Sequence, residues 1–387
     1  MTWTPLLMRD TIAWSLTLAV GLSLISAGCA ASDDRIVLKV AHNGSAEHPY
    51  QVGFETFKEV LERETNGRVE VQIFDNAQLG TEEEASLMVE LGALAASAAS
   101  AGGGLAPFTP EAELFNFPFI FRDLDHFYRV LDGPPGERVG AIVEQDLDSL
   151  VLGWWFSGVR NTWNSRRPIL TPDDMRGLKI RVMSSPVLIE TFNTLGAQAT
   201  PMSFGELYSG LEQHVVDGAE TDHVDLLYER FYEVTEHVSY TGHMYLAAGL
   251  IFSRKRYNDL PPEIQEAILL AGREATLAER AAMESMTNAA LTELEELGLK
   301  FYEVDRSLFQ EKVRSVYENN AEKIGGIQYI EEIEALATVE ESEDVDETGD
   351  PAQAGEPGQD SEAGRGSVPG QDSEPGQESE PEKVGRT

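Results

Sequence analysis

A single cysteine, Cys29, stands among 387 residues, so no disulfide can form within the chain. Lysine is also scarce: 8 of the 29 basic residues are Lys and 21 are Arg. Set against 67 acidic residues, they leave a formal net charge of −38. Such a field repels nucleic acid and anionic lipid and favours solubility. Abundant acid with little Lys also suits work in high salt, where counter-ions screen self-repulsion. Residues 339–387 hold 15 acids and 3 bases, a share of −12, so the remaining −26 belongs to the rest of the chain. The apolar run from Thr11 to Ile25 is too short to span a bilayer comfortably. No GxxxxGK[ST], no GxGxxG after a strand and no GxSxG occurs, so signatures of nucleotide binding and of a hydrolase nucleophile elbow are missing.

Neither end reads as fold. Arg9 precedes the apolar run, which closes in Ser26-Ala27-Gly28-Cys29 and resembles the lipobox of a bacterial lipoprotein signal peptide, with Ser26 where Leu is commonest. Residues 1–28 are therefore predicted to be a signal peptide. Cys29 is the predicted lipidation site, heading a short tether over 29–35, because two or more acyl chains anchor stably where one does not. At the other end PGQDSE (357–362) returns at 369–374 and as PGQESE at 375–380. Polar, acidic repeats cannot bury enough surface to offset ordering entropy, so 338–387 is predicted to be a disordered, solubilising tail.

Between the ends, strand and helix patterns alternate, which predicts an α/β fold. Strands are expected at 36–42 and 69–74, flanking a helix that carries Tyr50, Phe54, Phe57 and Leu61: a βαβ unit with a parallel sheet. The small residues of 94–104 suit a strand end and a loop where backbone approaches something closely. Further strands are expected at 151–156, 178–183 and 245–253, with a short one beginning at 215–218. Helices are expected at 186–195 and after a Ser203/Glu206 capping box, and one with Val224, Leu227, Tyr228 and Phe231 on a single face. The helical pattern opened by Pro261-Pro262 runs to about Leu297, long enough to bridge two halves of a molecule. Two α/β lobes sharing crossing segments place a ligand cleft between them.

His214, Asp217, Glu220, Asp222 and His223 form the richest polar cluster, but their spacing matches no standard zinc pattern. Turn and cap roles are preferred, with a metal-dependent hydrolase kept as the alternative. Trp154, Trp155, Phe115, Phe117, Phe119 and Phe121 are expected mostly in the core. Arg160 and Arg181 each lie where a strand gives way to a loop beside apolar residues. A guanidinium there either pairs with a neighbouring acid, abundant in this chain, or presents a bidentate fork to a ligand carboxylate; the pattern alone leaves both open.

The ordered succession GVRNTWNSRRPI (158–169), MRGLKIRV (175–182), LGAQATPMSFGELYSGLEQHVVDGAE (195–220) and FYEV (231–234) resembles the solute-binding subunits of tripartite ATP-independent periplasmic (TRAP) transporters. AHNGSAEHPY, NGRVEVQIFDNAQLG and PEAELFNFPFIF carry the likeness into the N-terminal half, so that it covers about residues 36–330. The resemblance implies a periplasmic-binding-protein-like fold of two lobes with a hinge cleft and a long lobe-spanning helix. Lobe I would comprise 36–157 plus 247–286, and lobe II 158–246 plus 287–337. It implies a monomer without cofactor, metal or catalysis that captures an organic acid and delivers it to the small and large membrane subunits of an ion-driven permease, or, as an alternative, reports it to a membrane receptor. A lipid-anchored, extracytoplasmic location follows. By the same resemblance Arg181 would hold the ligand carboxylate, Arg160 would assist and Phe204 would pack on the ligand. Asn43, Thr221, Glu220 and Ser100 would complete the ligand-binding set. Thr221 and Ser100 depart from the residues common in the family, which implies a smaller monocarboxylate, a dicarboxylate such as a C4 acid, or a sugar acid over a nine-carbon sugar acid.

Overall fold

The expected βαβ unit forms. Strands β1 (Ile36–Ala41) and β2 (Val69–Phe74) pair in parallel, Ile36 opposite Val69. Between them α1 (Pro49–Glu64) starts with Pro49 in its first turn and with the His48 ring accepting the Tyr50 N–H at 3.0 Å. Asn66, in left-handed conformation, follows its end. This computed structural model describes residues 35–337; the predicted signal peptide, Cys29, the tether up to residue 34 and the acidic tail lie outside the described residues. Thr81 and Glu84 then form a reciprocal capping box for α2 (Glu82–Glu90), which leads into β3 (Ala96–Ser100).

Nine strands make one mixed sheet in the order β2, β1, β3, β8 (His237–Ser253), β4 (Ser149–Asn164), β7 (Gly218–Thr221), β5 (Lys179–Val182) and β6 (Gln198–Pro201), with β9 (Lys300–Tyr302) on β8. Its centre is the antiparallel pair β4 (Ser149–Asn164) and β8 (His237–Ser253). Only the apolar stretches of these strands, 151–156 and 245–253, are legible as strand in the sequence. Both continue well beyond because their polar residues are satisfied across the pair: Thr162 N–H donates to Thr241 Oγ1 at 3.1 Å, and Gly242 N–H donates to Asn161 Oδ1 at 2.9 Å. The apolar half of β8 pairs with β3 and its polar half with β9, while the polar half of β4 pairs with β7 (Gly218–Thr221). These two strands therefore belong to both ends of the sheet.

At the far end β5 (Lys179–Val182), α3 (Pro186–Leu195) and β6 (Gln198–Pro201) make a second parallel unit. The expected Ser203/Glu206 capping box does not form, since neither side chain bonds the other residue's backbone N–H. Ser203 donates its hydroxyl to the Glu206 carboxylate at 2.6 Å, and a single 3₁₀ turn (Phe204–Glu206) precedes the helix Leu207–Glu212. The helix expected to reach Phe231 stops earlier: α4 (His223–Tyr228) ends before Arg230, whose φ is 60°, and Phe231 opens a new 3₁₀ turn.

The longest helix, α5 (Pro262–Glu296), has 35 residues and so measures about 52 Å at 1.5 Å per residue. It packs against α1, β4 and α4, elements drawn from both ends of the sheet. An apolar core between α1, α5 and the sheet is centred on Trp155, which meets Phe54 edge-on at 5.1 Å and donates its indole N–H to Thr276 Oγ1 at 3.2 Å. A second core extends along the rest of the sheet with Phe115, Phe117, Phe192 and Phe231 fully buried.

The register of β4 against β8 shifts between Phe156 and Val159. Gly158 sits in that bulge at φ 78°, and a Cβ there would come within 2.3 Å of the Asp222 Cβ. Gly158→Ala is expected to destabilise the protein by about 1–3 kcal/mol. A lowered urea midpoint is the check, and an unchanged midpoint would show that the bulge relaxes freely.

Candidate functional site

The bulge determines where Arg160 goes. Immediately beyond it, the Arg160 side chain turns into the interior and is 2% exposed. Nε donates to Glu220 Oε2 at 2.9 Å and Nη2 to the Glu220 carbonyl at 2.7 Å. Nη1 is shared between Asp225 Oδ2 at 3.1 Å and Asp222 Oδ2 at 3.4 Å. Burial alone would lower its pKa, but Glu220, Asp225 and Asp222 overcome that and raise it. Glu220 is likewise buried, which would raise its pKa; Arg160 and His243 instead hold it at about 2. Asp222 and Asp225 adjoin one another. His48 and Arg160 hold Asp225 low, whereas burial and the Asp225 charge push Asp222 up. Asp222 also caps α4, accepting from the N–H groups of Val224 and Asp225.

Arg181 is equally buried but differently supplied. Its neighbours Ile180 and Val182 are fully buried, as the alternating pattern requires, yet the opposite face of β5 is buried there too. Nε donates to the Met202 carbonyl at 2.9 Å, and Nη1 has no hydrogen-bond partner. No carboxylate of the described residues forms a salt bridge with it. Burial lowers its pKa to about 10, helped by repulsion from Arg160 and opposed by Glu220 and Glu82, so it remains charged at neutral pH. The guanidinium lies 5.8 Å from the centroid of the Phe204 ring, which packs edge-on against Phe231 at 5.7 Å.

Both arginines face one cavity, which Asn43, Ser100 and Phe204 also line. It adjoins a wider mouth, and Asn43, Glu82, Arg181, Met183 and Phe204 line both spaces. Five of the seven expected ligand residues thus come together: Arg181, Arg160, Phe204, Asn43 and Ser100. Glu220 and Thr221 do not. Strand β7 is buried between β4 and β5, so Glu220 is spent on Arg160, and the Thr221 hydroxyl accepts from the Trp163 indole at 3.1 Å while donating to the Asp222 carbonyl at 3.0 Å. The wider polar cluster does not converge either. Asp217 binds the Lys179 N–H and Arg166, and His223 packs against the Tyr240 and Phe301 rings.

Several lining residues carried no signal in the sequence. Glu82 is one of three consecutive acids in a capping segment, yet it alone turns inward. Ser100 N–H donates to Glu82 Oε1 at 3.1 Å and Ser100 Oγ to Oε2 at 2.7 Å. His48 read as the residue before a helix; its Nε2 lies 3.4 Å from Asp225 Oδ1 while Nδ1 caps α1, which makes Nε2 the protonated nitrogen. Beside it, Ser45 N–H donates to Glu229 Oε1 at 2.6 Å, a second tie between the segment after β1 and the end of α4.

The sequence profile described as bacterial extracellular solute-binding protein, family 7, matches residues 40–324. The chain belongs to this family. A solute-binding protein of Chromohalobacter salexigens is 34% identical over 293 residues, 75% of this chain and 84% of the relative. Among solved structures, a TRAP periplasmic solute-binding protein from Polaromonas, bound to D-erythronate, is 33% identical with a TM-score of 0.75. The alignment covers 78% of this chain and 99% of that one. A second, from Sulfurospirillum deleyianum with bound succinate, is 31% identical with the same TM-score and covers 78% and 98%. The TRAP solute-binding family and its two-lobed α/β fold are thus those implied by the motifs between 158 and 234. Family members bind a substrate rather than transform it, and they are periplasmic. No helix of the described residues is long and apolar enough to cross a membrane.

Within this family member the two arginines carry opposite expectations. Arg160→Met would strand Glu220, Asp222 and Asp225 in the interior, and breaking such a buried network is expected to lower stability by about 3–5 kcal/mol. A denaturant titration at pH 7 checks this; a loss below about 1 kcal/mol would show that the three carboxylates do not depend on Arg160.

Proposed function

We propose that this protein captures an organic acid outside the cytoplasm, by its carboxylate, and delivers it to the membrane subunits of a TRAP permease. The observation that carries the reading is Arg181: a desolvated, charged guanidinium with an unpaired Nη1, lining a cavity that opens to a wider mouth. A buried cation is unfavourable unless paired and hydrogen-bonded, and a ligand carboxylate supplies both. The ligand class covers C4-dicarboxylates, sugar acids and related monocarboxylates, as in the relatives that hold erythronate or succinate. Arg160 contributes mainly through position, because four of its five N–H donors are already engaged. Phe204 supplies an apolar face, and Asn43 an amide.

Closure follows from the same elements. The lobes meet where β4 and β8 cross from one end of the sheet to the other, and the Gly158 bulge in the Phe156–Val159 register shift is the natural pivot. A ligand held by Arg181 from one lobe and by the segment after β1 from the other binds the closed state better than the open one, and so shifts the population toward it. Cys29, diacylated after signal-peptide removal, would tether the protein to the membrane that houses the permease.

Arg181→Met removes the charge at similar volume. It is expected to weaken binding of the acid found in a thermal-shift screen by at least about 100-fold without lowering the unfolding temperature of the free protein, since no internal partner is stranded. Arg181→Lys is expected to bind nearly as poorly, because an ammonium lacks the fork. Near-native affinity in either variant would sink the assignment. Cys29→Ser should move the protein from the membrane to the soluble fraction on cell fractionation; an unchanged distribution would rule out the anchor.

A further inference from the structure

The cavity wall restricts the ligand beyond its one carboxylate. The cations that line the cavity are Arg160 and Arg181, with His48 as a third group able to take a proton. Arg160 is matched by Glu220, Asp222 and Asp225, and the His48 Nε2 is directed at Asp225. Among the described residues, Arg181 is the one of these cations with a nitrogen that has no partner at all. The remaining charge on the wall is negative: Glu82 lines both the cavity and its mouth, next to the Asp225 that Arg160 and His48 already engage. A ligand held on Arg181 therefore shares its space with the Glu82 carboxylate, which lines the same cavity. Each Glu82 oxygen takes one Ser100 donor, which leaves lone pairs open to hydroxyl groups.

Resting on the carboxylate reading above, we infer that the site takes a monocarboxylate bearing hydroxyl groups and disfavours diacids, with Glu82 as the selecting residue. A second ligand carboxylate would enter a desolvated space beside Glu82 and Asp225 with no free cation to meet it, and like charges so placed repel strongly. A ligand hydroxyl there donates to Glu82 instead. Burial raises the Glu82 pKa, while the Ser100 donors, Arg181 and Arg160 oppose the shift. Both oxygens acting as acceptors is the arrangement of the ionised form. An acid lacking hydroxyls would bury Glu82 with its remaining lone pairs unmet, which a site built for hydrogen bonding also penalises.

Calorimetric titration of the full-length protein at pH 7 tests this with two matched series: gluconate, glucarate and hexanoate at six carbons, and erythronate, tartrate and butyrate at four. In the series whose size fits, the hydroxylated monoacid is expected to bind at least about 100-fold more tightly than the diacid and the unhydroxylated acid. Glu82→Gln is expected to narrow the gap to the diacid at least about tenfold, mostly by strengthening the diacid. A diacid that binds as well as the monoacid, or a gap that Glu82→Gln leaves intact, overturns the inference. If that diacid binding disappears in Arg181→Met, the carboxylate reading still stands. No binding in either series overturns both. Should Glu82→Gln fail to fold, the wild-type ranking decides alone.

Discussion

Arg160 and the three carboxylates around it are the interaction on which the site depends. They tie β4 to β7 and to α4, and each is deeply buried, so that Glu220 and Asp225 rely on Arg160 to stay charged there. With Glu220 and Asp225 committed to Arg160, neither can neutralise Arg181 next to it. The two guanidiniums are equally buried, yet every nitrogen of one has a partner and Nη1 of the other has none. The internal acids of one arginine are thus kept from pairing with the other.

The backbone that presents this pair is shared by both ends of the sheet. β4 and β8 pair with β3 at one end and with β7 and β9 at the other, and α5 runs alongside from α1 to α4. A movement of one lobe against the other has to pass through those three segments, and the register shift at Gly158 is the point where the strand pair is already irregular. Across the cleft, Ser45 on Glu229 and His48 on Asp225 link the segment after β1 to α4.

The rest of the cavity wall is built separately. Glu82 and Ser100 arrive from α2 and β3, and neither contacts the Arg160 network through a hydrogen bond. The carboxylate clamp and the wall that reads the rest of the molecule can therefore vary independently, which suits a fold whose relatives hold acids as different as erythronate and succinate.

Much of the fold was legible in the sequence because periodic burial leaves a periodic trace. β1, α1, β2, α3 and the 35-residue α5 all stand where alternation, helical spacing, proline and glycine put them. The polar halves of β4 and β8 were invisible, since Thr162, Asn161 and Thr241 are satisfied by partners some 80 residues away. The residue types at 160 and 181 marked both as candidates, and the ordered motifs around them identified the family. Sequence could not separate the two, because whether a buried arginine is neutralised depends on which carboxylates the chain folds against it. Nor could it show that Glu220 and Thr221 face away from the cavity, or that Glu82 among three adjacent acids turns inward. Local order follows from local pattern; charge compensation is decided by tertiary contacts.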